Sequence, residues 1–132
     1  MYLALILLNK HMKLLIVDDS SIMRRAIEKY LSGLNLEICG SASNGSEALE
    51  LFRKHNPDVV TMDITMPQMD GLTSLEQMKK IRPEVKVIII SALSDQATGL
   101  KALKLGASAF IPKPFTETQI VEELKRVLGL KT

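Results

Sequence analysis

The sequence predicts an α/β fold in which a five-stranded parallel sheet is covered by helices on both faces. Two observations lead to this prediction. Segments that are apolar almost throughout alternate with segments whose apolar residues recur every three or four positions, the spacing of one helix face. Strands without polar alternation are typical of parallel sheets buried on both faces. A chain of 132 residues is long enough to form one domain with its own core.

Five segments are the predicted strands. Four are short apolar runs at 13–17, 58–62, 86–90 and 108–112, and the second strand spans 36–42. Pro112 would be awkward in a central strand because it has no N–H to donate, but an edge strand tolerates it. The fifth strand is therefore expected at an edge of the sheet.

Each predicted strand is followed by a predicted helix. Ser20, Ser46 and Thr116 are the expected N-caps of the first, second and fifth helices, because a hydroxyl can accept from the unpaired N–H groups of a first turn. Gly99 falls inside the fourth helix, where glycine costs about 1 kcal/mol relative to alanine, and it predicts a soft helix. The helices cover about 21–34, 46–55, a segment ending near 81, 95–105 and 117–128.

The order of the strands follows from the connections. Right-handed crossovers leave few ways to arrange five β-α units. The flavodoxin-like order 2-1-3-4-5 suits them, and its switch point lies between the first and third strands. Asp18 and Asp19 follow the first strand and Asp63 follows the third, so all three carboxylates are expected at that point.

Composition excludes several classes of function. A net charge of +2, with no run of basic residues, argues against binding to nucleic acid or to a membrane surface. The single cysteine, Cys39, cannot form an internal disulfide and fits a cytoplasmic location. The apolar run 2–8 is far below the roughly 20 residues of a membrane span. We interpret residues 1–11 as an N-terminal extension, from an upstream start or a cloning junction, and 12–129 as the domain.

Five polar residues follow different strands and predict one phosphate-handling site: Asp18, Asp19, Asp63, Ser91 and Lys113. The carboxyl ends of parallel strands meet at one edge, so these side chains converge. Three crowded carboxylates need a positive partner, and an all-oxygen set favours Mg²⁺. Asp63 is the candidate nucleophile because a carboxylate can form an acyl phosphate. Lys113 and Ser91 are expected to hold the oxygens of the transferred group.

The chain resembles the receiver domain of bacterial two-component response regulators, and most closely the stand-alone chemotaxis type. The strand order above is also the order known for that type, so it is partly implied by the resemblance. The likeness covers about 12–128. The motifs that carry it are Ile16-Val17-Asp18-Asp19-Ser20, Met62-Asp63-Ile64-Thr65-Met66-Pro67-Gln68-Met69-Asp70-Gly71, Ser91-Ala92 and Lys113-Pro114-Phe115.

The resemblance implies a role for each site residue. Asp63 is phosphorylated by a histidine kinase, and Asp19, Asp63 and the carbonyl of Thr65 ligate Mg²⁺, with Asp18 acting through water. Lys113 contacts the phosphoryl group, Ser91 and Phe110 form a switch pair, and Lys113-Pro114 is a cis peptide. Thr65 and Leu93 stand where the family tunes the lifetime of the phosphoryl group.

The predicted function is therefore a phosphorylation-dependent switch with no attached output domain. It is not an enzyme apart from catalysing its own phosphorylation and dephosphorylation. Its expected partners are a histidine kinase and a downstream protein, such as a flagellar motor switch component in chemotaxis or a phosphotransfer protein in a phosphorelay.

Two alternatives come from other classes of protein. A haloacid dehalogenase-type phosphatase also uses an aspartyl nucleophile, but it needs a second Asp at the position of Thr65. A small flavin-binding module has the same topology, but Asp18 and Asp19 would repel the flavin phosphate. Turnover of a phosphate ester would indicate the first, and a yellow colour on purification the second.

Overall fold

The computed structural model describes residues 12–64, 71–92 and 96–130, and it has the predicted architecture. The proposed extension 1–11 lies outside these residues. The strands are β1 Met12–Val17, β2 Leu36–Ala42, β3 Val59–Met62, β4 Lys86–Ala92 and β5 Ala109–Lys113. The helices are α1 Ser21–Leu31, α2 Gly45–His55, α3 Gly71–Ile81, α4 Gln96–Lys104 and α5 Glu117–Leu128.

The five strands form one parallel sheet in the order β2-β1-β3-β4-β5, which confirms the flavodoxin-like topology. β5 is an edge strand, as Pro112 requires. β1 and β3 are neighbours although they are not consecutive in the chain. The residues that follow these two strands are therefore brought to the same edge of the sheet.

Two apolar clusters fill the two sides of the sheet. One contains buried residues of α2, α3 and α4, including Phe52, Leu75 and Ala102. The other contains buried residues of α1 and α5, including Ile27 and Leu124. Helices on both faces explain why β1, β3 and β4 are mostly apolar rather than alternating.

The N-caps of α1 and α5 are confirmed. Ser20 accepts a hydrogen bond from the N–H of Met23, and Thr116 forms a capping box with Gln119. The predicted cap of α2 was wrong. Asn44 caps it by accepting from the N–H of Glu47, and Ser46 lies inside the first turn. The amide oxygen of Asn44 accepts from an N–H two residues earlier in the chain than a cap at Ser46 would, so the helix begins at Gly45.

Two element ends also differ from the prediction. α1 ends at Leu31, where Ser32 donates from its N–H and its hydroxyl to the carbonyl of Lys29. The apolar spacing that continues to Leu34 therefore overstates the helix. β4 extends through Ala92 because Ser91 and Ala92 pair with Pro112 and Lys113 of β5. Ser91 thus lies within the strand and not after it.

Thr61 is a polar residue in the middle of β3. It is completely buried, and within the described ranges its hydroxyl has no hydrogen-bond partner. A buried hydroxyl that loses its water without gaining a partner destabilises the folded state.

We expect Thr61→Val to stabilise the protein by about 1 kcal/mol, because valine keeps the branched shape and removes the unpaired hydroxyl. Urea denaturation should show a higher midpoint with an unchanged slope. The matched control is Thr116→Val, which removes the α5 cap and should destabilise by about 1 kcal/mol. A lower midpoint for Thr61→Val would show that its hydroxyl is satisfied.

Candidate functional site

Three carboxylates meet where β1 and β3 end. Asp18 and Asp19 follow β1, Asp63 follows β3, and one oxygen from each lies within 4.8 Å of the others. Asp18 and Asp63 are 1% and 6% exposed, whereas Asp19 is exposed. The structure therefore brings together the three acids that the sequence predicted. It also places two of them out of water, where an uncompensated negative charge is costly.

Lys113, the last residue of β5, provides the opposite charge. Its Nζ lies 3.0 Å from Oδ2 of Asp18 and 3.5 Å from Oδ2 of Asp63. Burial alone would lower the pKa of Lys113, but the hydrogen bond and charge of Asp18 and the charge of Asp63 outweigh it. The net effect is a raised pKa, so the side chain is held as an ammonium between the two carboxylates.

Asp18 is fixed on both of its oxygens. Oδ1 accepts from the N–H of Ser20 at 2.9 Å, while Oδ2 accepts from Lys113. The backbone carbonyl of Asp18 accepts from Nη1 of Arg24 at 2.7 Å. Arg24 thus ties the first helix to the turn that presents Asp18 and Asp19.

Sequence reasoning missed Arg24. Its neighbour Arg25 has the same charge, and the sequence alone gives no sign of which of the two faces the turn. Only the direction in which α1 leaves the sheet selects Arg24.

Gly71 has no predicted role beyond ending the motif that begins at Met62, but it lies against the backbone of the site. A Cβ at this position would lie 2.6 Å from the carbonyl oxygen of Asp63 and closer still to the Cα of Ile64. The N–H of Gly71 also donates to the carbonyl of Ile64. Only glycine lets α3 begin this close to the Asp63–Ile64 backbone. A glycine at the start of a helix was the sequence signal that could have indicated this close approach.

The remaining predicted residues lie on β4 and β5. Ser91 is buried in β4 and pairs with Pro112, and Phe110 pairs with Ile89. Because strand side chains alternate, Ser91 and Phe110 belong to one face of the sheet and Lys113 to the other. The Lys113–Pro114 peptide is cis, the conformation that the resemblance implies. Thr65 and Leu93 lie outside the described residues.

The charge of the cluster matches a divalent cation. Three carboxylates give a charge of −3, and the Lys113 ammonium that contacts two of them reduces it to −2. The donors are all hard oxygen atoms, which Mg²⁺ prefers. Part of the cluster is open to solvent at Asp19, so the residues present fit such an ion.

A parallel sheet of this order, with three carboxylates at its switch point and a lysine of β5 that contacts two of them, suits a domain that accepts a phosphoryl group. The chain matches the family model described as the response regulator receiver domain over residues 14–125. The chain belongs to this family and is a phospho-acceptor protein of two-component signal transduction. A receiver of this kind is not a classical enzyme, and neither the phosphorelay shuttle nor the haloacid dehalogenase-type phosphatase is favoured.

The similar proteins include chemotaxis regulators. The chain is 43% identical over 115 residues to the chemotaxis protein CheY of Thermotoga maritima, covering 87% of this chain and 96% of that protein. It is 40% identical over 117 residues to CheY of Bacillus subtilis, covering 89% and 98%. The structure of a CheX–CheY complex with beryllofluoride and Mg²⁺ from Borrelia burgdorferi matches with a TM-score of 0.84 at 34% identity, covering 89% of each chain.

Among the helices of the described ranges, none combines the length and apolar character needed to cross a bilayer.

We expect Lys113→Met to destabilise the metal-free protein by about 2 kcal/mol at neutral pH, because it leaves buried carboxylates without their cation. Lys113 has a higher pKa in the folded protein than in the unfolded chain, where its value is 10.5. Its contribution to the free energy of unfolding is therefore complete below pH 10.5 and is lost as the pH rises through the folded-state pKa. The difference in unfolding free energy from wild type should therefore shrink above that pH. Denaturation curves in chelator at several pH values measure it.

Lys80→Met is the matched control, since its side chain is 66% exposed and lies 3.6 Å from Glu76. It should change stability by less than about 0.5 kcal/mol. A Lys113→Met difference that stayed constant up to about pH 11 would mean that Lys113 stabilises through its methylene groups and not its charge.

Proposed function

We propose that Asp63 accepts a phosphoryl group from the phosphohistidine of a histidine kinase. The observation that carries this proposal is the contact between Asp63 and Lys113 inside a cluster of three acids. A carboxylate oxygen of Asp63 forms a bond to phosphorus as the bond from phosphorus to the histidine nitrogen breaks. The histidine leaves as imidazole, and Asp63 becomes an acyl phosphate.

Asp19, Asp63 and the carbonyl of Thr65 are the proposed ligands of Mg²⁺, with Asp18 acting through water. The ion would neutralise charge that builds up on the phosphoryl oxygens. The hydrogen bonds to both oxygens of Asp18 support its indirect role, since they fix its orientation within the cluster. Arg24 and Ser20 hold the turn that aims Asp18 and Asp19.

Lys113 has two successive tasks in this proposal. Before transfer it balances Asp18 and Asp63, and after transfer its ammonium pairs with the phosphoryl oxygens. Ser91 supplies a hydroxyl to the same group from β4. The protein thereby promotes its own phosphorylation. It also promotes its own dephosphorylation, in which water attacks phosphorus and the Asp63 carboxylate leaves.

The proposed output is contact with another protein. Ser91 and Phe110 would shift when Asp63 is phosphorylated, changing the surface around α4, β5 and α5. Chemotaxis is the proposed context because the two relatives described above, which the chain matches over almost their whole length, are chemotaxis proteins. A flagellar motor switch component is the proposed downstream partner. The proposed receiver unit spans 12–129.

We expect the protein to gain one phosphoryl group on Asp63 when incubated with Mg²⁺ and acetyl phosphate, because the cluster and Lys113 offset the charge of the transferred group. Intact-mass spectrometry measures the gain, its loss after base treatment identifies an acyl phosphate, and the Asp63→Asn variant locates it. Excess chelator and Asp63→Asn should each abolish it.

Asp58→Asn is the matched control. Asp58 immediately precedes β3, as Asp63 immediately follows it, and Asp58 accepts from the N–H of Lys13 outside the acidic cluster. This variant should be phosphorylated like wild type. Undiminished phosphorylation of Asp63→Asn, or of wild type in chelator, would contradict the proposal.

A further inference from the structure

The ring of Phe110 lies directly against the backbone of α4 at Gly99. A Cβ at Gly99 would lie 2.8 Å from Cδ2 and 2.9 Å from Cε2 of the ring. Such distances are shorter than the contacts that packed carbon atoms make. Gly99 itself is buried, whereas Phe110 is half-buried. Glycine therefore provides the space that the ring occupies.

The backbone conformation does not account for this glycine. The described glycines with positive φ are Gly106 and Gly129, so Gly99 has a conformation that any residue adopts. Glycine also weakens a helix interior relative to alanine. Position 99 therefore requires glycine for a steric reason. The three atoms nearest to a Cβ at this position all belong to the ring of Phe110.

Phe110 borders two cavities. One, of about 280 Å³, is lined by Gly99, Leu100 and Leu103 of α4 together with Phe110. The second, the α5-side cavity of about 390 Å³, is lined by Phe110 and Pro112 of β5 and by Gln119 and Glu122 of α5, among others. An aromatic residue that borders open space can change position without unfolding a core.

The strand register connects this ring to the site. Phe110 pairs with Ile89, and Pro112 pairs with Ser91, so both switch residues lie on the same short stretch of the β4–β5 ladder. A displacement of the ring therefore acts on the strand segment that positions Ser91.

We propose that Gly99 is a positioning residue that seats the Phe110 ring against α4 and thereby sets the resting position of the switch. The proposal rests on the proposed function for its link to phosphorylation, but not for the seat itself. A methyl group at position 99 displaces the ring from α4 toward the α5-side cavity.

A double-mutant cycle tests the seat, by which we mean the contact between Gly99 and the Phe110 ring. In wild type, Gly99→Ala should lower the urea midpoint, because the methyl group collides with the ring. In the Phe110→Ala background the same change should raise the midpoint, because only the gain in helix propensity remains. A change of the same sign in both backgrounds overturns the seat. This cycle needs no phosphorylation, so it is independent of the proposed function.

Fluorine NMR gives a readout that a change in stability alone would not move. The chain has three phenylalanines, so fluorophenylalanine labelling yields three resonances, and Phe110→Leu assigns that of Phe110. In Gly99→Ala this resonance should be displaced without beryllofluoride, and its change on adding beryllofluoride with Mg²⁺ should fall by at least half. The resonances of Phe52 and Phe115 should stay in place.

Gly33→Ala is the control, because a Cβ at Gly33 meets no atom within 4 Å. Its Phe110 resonance should match that of wild type. If Gly99→Ala leaves the Phe110 resonance and its response unchanged, the positioning role is wrong. If the Phe110 resonance of wild type does not change on adding beryllofluoride with Mg²⁺, the switch role in the proposed function is overturned. The contact between Gly99 and the ring is then decided by the double-mutant cycle alone.

Discussion

The ammonium of Lys113, shared between Asp18 and Asp63, is the interaction on which the site depends. It joins the ends of β5, β1 and β3, which the parallel sheet brings to one edge, and the strand order makes β1 and β3 neighbours. Two carboxylates that are almost completely buried would otherwise repel each other in a medium that screens charge poorly. Lys113 compensates part of that charge. The remainder is the charge that Mg²⁺ would balance in the proposed function.

Two glycines let the backbone come close where the site needs it. Gly71 allows α3 to begin against the backbone of Asp63 and Ile64, and Gly99 allows the Phe110 ring to lie on α4. Neither has a positive φ. Gly99 weakens α4 relative to alanine, but it allows the close contact with the Phe110 ring. The proposed function requires movement at this same place.

The fold and the acidic cluster could be predicted because their signals are local and repeated. Mostly apolar strands predict a parallel sheet. Polar residues at the ends of those strands predict the edge of the sheet that carries the site. The helix ends were less predictable, because Asn44 and Ser46 are both good caps and only the backbone path selects one. Arg24 and the seat of Phe110 could not be predicted, since both depend on how helices approach the sheet. The spacing of apolar residues in the sequence does not indicate the angle at which a helix packs on the sheet.

The central claim is that Lys113 and a divalent cation balance the same carboxylates. Calorimetric titration of Mg²⁺ into wild type, Asp19→Asn and Lys113→Met tests it most directly. Removing a carboxylate should weaken Mg²⁺ binding, whereas removing the ammonium should strengthen it, because the ion then meets an uncompensated charge. Opposite changes in the dissociation constant would agree with the claim. Equal affinities in all three proteins, or weaker binding in Lys113→Met, would contradict it.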